Sequence, residues 1–134
     1  MAAAREETIG VHSDEDVVRA RQVVRKWAVD LGFRLIDQTK IVTAASELAR
    51  NTLIHGGGGT MRLASLEQNG RRGLQLTFED KGPGIPDVAQ AMVNGFTTGS
   101  GLGLGLGGAK RLSNDFAIIS SPGEGTRVVI TRWL

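Results

Sequence analysis

The sequence contains no cysteine and no tyrosine, and aromatic residues make up only 4% of its 134 positions. The absence of cysteine excludes disulfide bonds and thiolate metal sites, and it is compatible with a reducing compartment. No apolar run approaches the roughly 20 residues that a membrane-spanning helix needs, and the first residues contain no apolar segment of the signal-peptide type. These absences predict a cytoplasmic protein without a membrane association.

A strong excess of either charge is also missing. The chain has 16 Lys and Arg against 14 Asp and Glu, for a net charge of +2, and its basic residues are scattered, so we expect no nucleic-acid partner. Hydrophobic residues make up 40% and charged residues 22%, as in ordinary globular proteins. The length predicts a single domain spanning 1–134, too short for a two-lobed protein kinase.

The N-terminal quarter predicts a strand followed by a helix. Thr8 to His12 is the strand candidate, and Ser13 can cap a helix, with Asp16 three residues later in an approximate capping box. Apolar residues then recur at spacings of three and four as far as Leu31. Gly32 is placed to end this helix in the left-handed conformation.

A second helix is expected from a cap at Asp37 to Ile54, and it carries a polar stripe. Glu47 and Asn51 are four residues apart and therefore project from one helical face. A carboxylate there could activate a hydroxyl, and a carboxamide could ligate a divalent ion. Alone, such a pair is also typical of a solvated helix face.

The remaining elements predict an α+β fold. Strands at Thr60 to Glu67 and Gly73 to Glu79 flank an Asn-Gly hairpin signal. The later elements are helices at Asp87 to Asn94 and Leu106 to Leu112, and strands at Phe116 to Ser120 and Thr126 to Trp133. Adjacent strand pairs with helices between them predict a two-layer α/β sandwich, with a mixed, mostly antiparallel sheet and helices on one face.

Two glycine-containing segments complete a possible nucleotide pocket. In Asp80 to Ile85, an Asp fixed at a strand end can accept a hydrogen bond from an exocyclic amine, and Gly82 and Gly84 let an adenine ring lie against the backbone. In Gly101 to Gly105, backbone N–H groups can approach phosphates closely. Taken as a turn alone, the first segment says little.

Other phosphate-binding motifs are excluded by context. Gly103 to Gly108 fits G-x-G-x-x-G, but it lies near the C-terminus and lacks the acidic residue that follows in a dinucleotide fold. No Gly-Lys-Ser or Gly-Lys-Thr of a Walker P-loop occurs.

The three segments together resemble the motifs of GHKL (Bergerat) ATP-binding domains. Ser46 to Asn51 is similar to the N box, Asp80 to Ile85 to the G1 box, Gly101 to Gly105 to the G2 box, and Gly123 to Thr126 to the last conserved element. Within that superfamily, the run Gly101 to Leu112 is most similar to the anti-sigma-factor group of serine/threonine kinases, especially the switch kinases of the stressosome.

The resemblance implies ATP and Mg²⁺ as cofactors and assigns roles to residues. Glu47 would be the general base, Asn51 the Mg²⁺ ligand and Asp80 the adenine reader. The further nucleotide contacts it implies are Gly82, Gly84, Ile85, Thr98, Gly99, Ser100, Gly101, Leu102, Gly103, Leu104, Gly105 and Thr126.

The resemblance also implies a function and partners. A stressosome-type kinase would phosphorylate a small STAS-type scaffold protein and, once released, activate a partner phosphatase in sigma-factor regulation. The alternative is an anti-sigma factor that sequesters a sigma factor and phosphorylates its antagonist. That group has a longer lid with a basic residue before the G2 glycines, where this chain has Thr98, Gly99 and Ser100. An ATP-binding switch without transfer is a third reading, which Glu47 disfavours.

Overall fold

The computed structural model describes residues 5–85 and 105–134. This part of the chain forms an antiparallel sheet with strand order β1-β2-β3-β5-β4, covered by helices on one face. The expected two-layer α+β fold is therefore confirmed. The elements are β1 Arg5–Val11, α1 Asp14–Leu31, α2 Leu35–Ile54, β2 Gly59–Gln68, β3 Arg71–Asp80, α3 Gly105–Arg111, β4 Asp115–Ser121 and β5 Gly125–Trp133.

The ends of α1 follow the local sequence signals. The Ser13 hydroxyl accepts a hydrogen bond from the Asp16 N–H at 3.2 Å, and Gly32 ends the helix with a φ of 92°. The Asp16 carboxylate accepts from the N–H of His12 at 2.8 Å, whereas an ordinary capping box would use the N–H of Ser13. His12 lies outside β1, which ends one residue earlier than expected.

The start of α2 corrects the sequence prediction. Asp37 is not the N-cap: Arg34 takes that position in an extended conformation, without a side-chain capping bond. Asp37 lies in the first turn instead, where its carboxylate accepts a hydrogen bond from Arg132 at 2.7 Å. Because the guanidinium of Arg132 binds the Asp37 carboxylate, this carboxylate does not cap the N–H groups at the start of the helix as the local sequence pattern predicts.

The hairpin between β2 and β3 forms where the Asn-Gly signal lies. Asn69 and Gly70 have φ angles of 54° and 78°, and positive values at both positions are those of a type I′ turn. The flanking strands pair from Gln68 and Arg71 at the turn to Gly59 and Asp80 at the far end. Both strands are thus longer than the apolar alternation predicts.

The core lies between the sheet and the helices. Trp27 on α1 is fully buried, and its indole N–H donates to Glu7 of β1 at 2.9 Å. Every second residue of β3 points toward the helices and is buried: Leu74, Leu76 and Phe78. Because side chains alternate along a strand, the next position on this side is Asp80, at the end of the core.

Two further expectations concern the rest of the chain. The expected helix at 87–94 lies outside the described residues, as does the glycine-rich stretch before Gly105. Among the helices that are described, none has the length and hydropathy required to span a bilayer.

Candidate nucleotide site

A row of directly opposed residues crosses the sheet at one end. Val11, Gly59, Asp80, Thr126 and Ser120 face one another in successive strand pairs. Residues opposite one another in an antiparallel pair point to the same face of the sheet. Asp80 and Thr126, which the sequence places far apart, therefore lie side by side beneath the helices.

The Asp80 carboxylate lies in closely packed backbone. Its Oδ1 accepts a hydrogen bond from the N–H of Gly82 at 2.9 Å. A Cβ at Gly56, just beyond α2, would overlap this carboxylate, and a Cβ at Gly82 would lie 2.7 Å from the Cα of Gly56. The end of α2, the carboxylate and the turn after β3 thus meet without side chains between them, and Asp80 stays partly exposed.

The turn after β3 is fastened to the turn between β4 and β5. Gly84 and Gly125 have φ angles of 79° and 90°, a conformation that favours glycine. A Cβ at Gly84 would overlap the carbonyl of Ser121, and one at Gly125 would overlap the carbonyl of Asp80. Pro83 also accepts a hydrogen bond from the N–H of Gly123 at 2.7 Å. These contacts attach the expected binding segment 80–85 to the turn between β4 and β5.

Ser120 connects the predicted residues of this region. Its hydroxyl lies 2.9 Å from the Oγ1 of Thr126 and accepts a hydrogen bond from the N–H of Ile85 at 2.7 Å. A cleft of about 170 Å³ at this end of the sheet is lined by Asp80, Ser120 and Thr126, and also by Glu79, Ile119 and Arg127. The last three are exposed and alternate to the face of the sheet away from the helices. The cleft therefore lies at the outer edge of this region, and it does not define a nucleotide pocket.

Sequence reasoning missed Ser120 and Gly56. Ser120 follows an apolar strand and precedes an ordinary turn, so no local pattern separates it from other strand-end serines. Gly56 belongs to the run Gly56 to Gly59, which by itself indicates only that the helix ends and a loop begins. Its closeness to Asp80 could have been suggested only by pairing the N box with the G1 box in space.

Helix α2 carries the other two expected site residues to the same end of the fold. Glu47 and Asn51 are partly exposed, and each precedes a buried residue, Leu48 or Thr52. They therefore share one stripe beside the buried face. The main-chain carbonyl of Asn51 accepts a hydrogen bond from the N–H of Gly56 at 3.2 Å, so the last turn of α2 leads directly to the loop that contacts Asp80.

Helix α3 begins at the last glycine of the expected phosphate grip. Gly105 has a φ of 67°, and the next four residues, 106–109, are buried, with α3 packed against α2. Lys110 and Arg111 are exposed at its end. The remaining expected phosphate contacts lie outside the described residues: Thr98, Gly99, Ser100, Gly101, Leu102, Gly103 and Leu104.

A metal site made by protein side chains alone is not found in the described ranges. No group of three or more His, Cys, Asp or Glu side chains is placed there to hold a metal ion. Protein Mg²⁺ sites often use one or two side chains, with waters and substrate phosphates as the remaining ligands. A single ligand such as Asn51 is compatible with that kind of site.

Comparisons with known proteins identify the family. Residues 36–133 match the family described as histidine kinase-, DNA gyrase B-, and HSP90-like ATPase. The chain is 44% identical over 126 residues to the serine/threonine-protein kinase RsbT of Bacillus subtilis (strain 168). The aligned region covers 94% of this chain and 95% of that protein. The chain is 33% identical over 123 residues to the anti-sigma F factor of Bacillus licheniformis, covering 86% of this chain and 82% of that protein.

A solved structure shows the same fold. The crystal structure of the RsbU and RsbW domains of Rv1364c from Mycobacterium tuberculosis aligns with a TM-score of 0.62 at 19% identity, over 94% of this chain and 32% of that one. The match to the family model, the relative at 44% identity and the shared fold agree with one another. The chain therefore belongs to the histidine kinase-, DNA gyrase B- and HSP90-like (GHKL) family of ATPases.

Proposed function

We propose that this chain is an ATP-dependent protein serine/threonine kinase of the RsbT type, with residues 1–134 acting as one catalytic domain. The observation that carries the proposal is the meeting of Asp80, Gly56 and Gly82 at the end of the sheet, just beyond the helix that bears Glu47 and Asn51. The 44% identity to RsbT supports protein phosphorylation as the use of this site.

Asp80 and the turn after it would hold the adenine end of ATP. An acceptor carboxylate beside backbone that lacks side chains suits a flat ring with an exocyclic amine. Thr126 lies directly opposite Asp80, and its hydroxyl, together with that of Ser120, adds polar groups beside the ring. Gly105 and the segment 98–104 before it are the proposed phosphate contacts.

Asn51 would hold Mg²⁺ together with the phosphates, and the ion would neutralise charge that builds up on them. Asn51→Ala should therefore remove most of the Mg²⁺ dependence of ATP binding. Calorimetric titration with and without Mg²⁺ measures this dependence. Thr43→Ala is the matched control, because Thr43 is on the same stripe of α2 but bonds to the carbonyl of Thr39. An Asn51→Ala protein that keeps the native Mg²⁺ dependence would contradict the assignment.

Glu47 would act on the protein substrate. Phosphoryl transfer mainly requires positioning and charge stabilisation, with a base to accept the proton of the attacking hydroxyl. Glu47 lies one helical turn before Asn51 on the same stripe of α2. Its carboxylate would take the proton from the substrate serine or threonine while Asn51 keeps the metal in place.

The proposed partners are a STAS-type stressosome scaffold as substrate and a phosphatase that the released kinase activates, in the cytoplasm. A second candidate function is sequestration of a sigma factor, which the 33% identity to an anti-sigma F factor favours. The higher identity and wider coverage of RsbT, together with Thr98, Gly99 and Ser100 in place of a basic lid residue, favour the kinase of the RsbT type.

Transfer of labelled phosphate from ATP to a co-encoded STAS-type protein tests the proposal. We expect label that survives acid, because phosphoserine and phosphothreonine are acid-stable whereas phosphohistidine is not. Native protein that binds ATP yet labels no scaffold would contradict kinase function. Stable capture of a co-encoded sigma factor in the same experiment would support the second candidate instead.

A further inference from the structure

Arg132 joins three separate parts of the fold. It lies on the helix-facing side of β5, after the buried Val128 and Ile130, with only 13% of its side chain exposed. Its Nη1 donates to the carbonyl of Leu112, just beyond α3, at 3.0 Å. Its Nη2 donates to Asp37, in the first turn of α2, at 2.7 Å. One guanidinium thus links β5, α2 and the end of α3.

The end of α3 has further attachments to β5. The N–H of Asn114 donates to the carbonyl of Thr131 at 2.9 Å, and the side-chain oxygen of Asn114 accepts from the N–H of Trp133 at 2.6 Å. At the other end, α3 packs on α2 through buried residues that include two glycines. The placement of Gly105, where the chain enters α3, therefore depends on how the end of this short helix is held.

A contribution to folding stability does not by itself explain why an arginine occupies position 132. Nε of Arg132 is buried and has no hydrogen-bond partner within the described residues. A buried donor without an acceptor destabilises the folded state. The ion pair is partly buried, with 13% and 21% of the Arg132 and Asp37 side chains exposed, and apolar side chains of similar size often replace such a pair at little cost in stability. What apolar side chains could not replace is the bond to the carbonyl of Leu112.

From this geometry we infer that Arg132 is a positioning residue for the phosphate end of the nucleotide site. By tying the end of α3 to the start of α2, it fixes Gly105 relative to Asn51 on α2. Asp80 and Thr126, at the adenine end, are held by the sheet and by the 80–85 turn, and neither depends on this link. This inference rests on the proposed ATP-binding function.

Comparing ligands with and without phosphates tests the inference. In the full chain, Arg132→Met should weaken Mg-ATP binding by about tenfold, as loss of charged hydrogen bonds that hold the site would do. Adenosine binding, followed by nuclear magnetic resonance titration, should stay within about twofold of native, since only the adenine end is used. Arg132→Lys should recover part of the loss, because an ammonium can reach one of the two acceptors but does not span both.

Two further variants separate positioning from folding. Arg132→Met combined with Asp37→Leu replaces the ion pair with apolar side chains, so its stability should be close to native while the Mg-ATP loss persists. Arg34→Met is the matched control, because it removes the other basic partner of Asp37 and leaves the bond to Leu112 in place. Nε of Arg34 lies 3.5 Å from the Asp37 carboxylate, and 83% of the Arg34 side chain is exposed. The nucleotide affinities of this control should equal the native values.

The outcomes distinguish the two proposals. Equal losses for adenosine and Mg-ATP, or recovery of Mg-ATP affinity in the double variant, would show that Arg132 is merely structural and would overturn the inference alone. If the native chain failed to bind Mg-ATP at all, the proposed function would fall and the inference with it.

Discussion

At the scale of single residues, Asp80 is the carboxylate to which the proposal gives the recognition of adenine. One oxygen is engaged by the N–H of Gly82, which fixes the orientation of the side chain, and the residue remains partly exposed. Close approach of Gly56 leaves little freedom for the carboxylate to move. A carboxylate oriented in this way can select a ligand by the donor that it presents.

Asp80→Asn should weaken ATP binding by roughly 1.5–3 kcal/mol, because a charge-assisted hydrogen bond to the adenine amine is lost. The asparagine oxygen can still accept from Gly82, so the turn should persist. Calorimetric titration of the native and variant proteins with ATP measures the loss. GTP, which presents a carbonyl where ATP presents an amine, should bind poorly to the native protein; competition by GTP equal to that by ATP would make Asp80 only a turn residue.

At the scale of elements, the loop after α2 determines how close the helix comes to the sheet. Gly56→Ala should reduce ATP affinity, because the added Cβ would displace the Asp80 carboxylate. Gly57→Ala is the matched control: its Cβ meets nothing within 4 Å, but Gly57 has a φ of 73°. We expect the control to lose about 1 kcal/mol of folding stability and to keep its affinity.

Calorimetry and urea unfolding on both glycine variants separate these effects. We expect Gly57→Ala to lose folding stability without losing ATP affinity, and Gly56→Ala to lose ATP affinity. The reverse pattern would mean that the contact between Gly56 and Asp80 does not shape the binding site.

Local signals account for the elements that the sequence predicts well. The cap at Ser13, the left-handed Gly32 and the Asn69-Gly70 turn act within a few residues of themselves, so a reader of the sequence can find them. Asp37 is different, because its partner Arg132 lies 95 residues away in the chain. The capping prediction at Asp37 is wrong for that reason.

The residues of the candidate site also divide into those that the sequence indicates and those that only the fold brings together. Spacing on one helix predicts the shared stripe of Glu47 and Asn51, the segment 80–85 itself indicates Asp80, and the resemblance adds Thr126. The contacts of Gly56 and Ser120 come from strand register and helix docking, which depend on the whole sheet. The roles proposed for residues 98–104 remain predictions from the sequence.

At the scale of the whole molecule, the link between the first turn of α2 and the last strand makes stability depend on pH. The hydrogen bond from Arg132 lowers the pKa of Asp37 below its ordinary value of 3.8, with Arg34 adding a smaller effect. A carboxyl with a lowered folded-state pKa stabilises the fold above its unfolded-state pKa. That contribution disappears as the pH falls through the folded-state value.

Asp37→Asn should therefore be less stable than the native protein near neutral pH, and the difference should shrink as the pH falls through and below 3.8. Asp30, whose pKa is also lowered by hydrogen bonds from Lys26 and Arg5, is present in both proteins and cancels in the comparison. Urea unfolding across the acid range measures the difference. A gap between the two proteins that stays constant with pH would contradict the role given to the ion pair.

The central claim is that this fold transfers phosphate to protein, with Glu47 as the base. A general base contributes about 10²- to 10⁴-fold to the rate and little to ground-state affinity. Glu47→Gln should therefore lower the transfer rate to the scaffold protein by that factor while Mg-ATP affinity stays near the native value. Glu67→Gln, exposed near the hairpin at the opposite end of the sheet, should change neither quantity.

The decisive measurement is the rate of labelled phosphate transfer from ATP to the scaffold, with Mg-ATP affinity determined on the same samples. The account predicts that Glu47→Gln lowers the rate and leaves the affinity unchanged. Full transfer by Glu47→Gln, or an equal loss of rate and affinity, would contradict it.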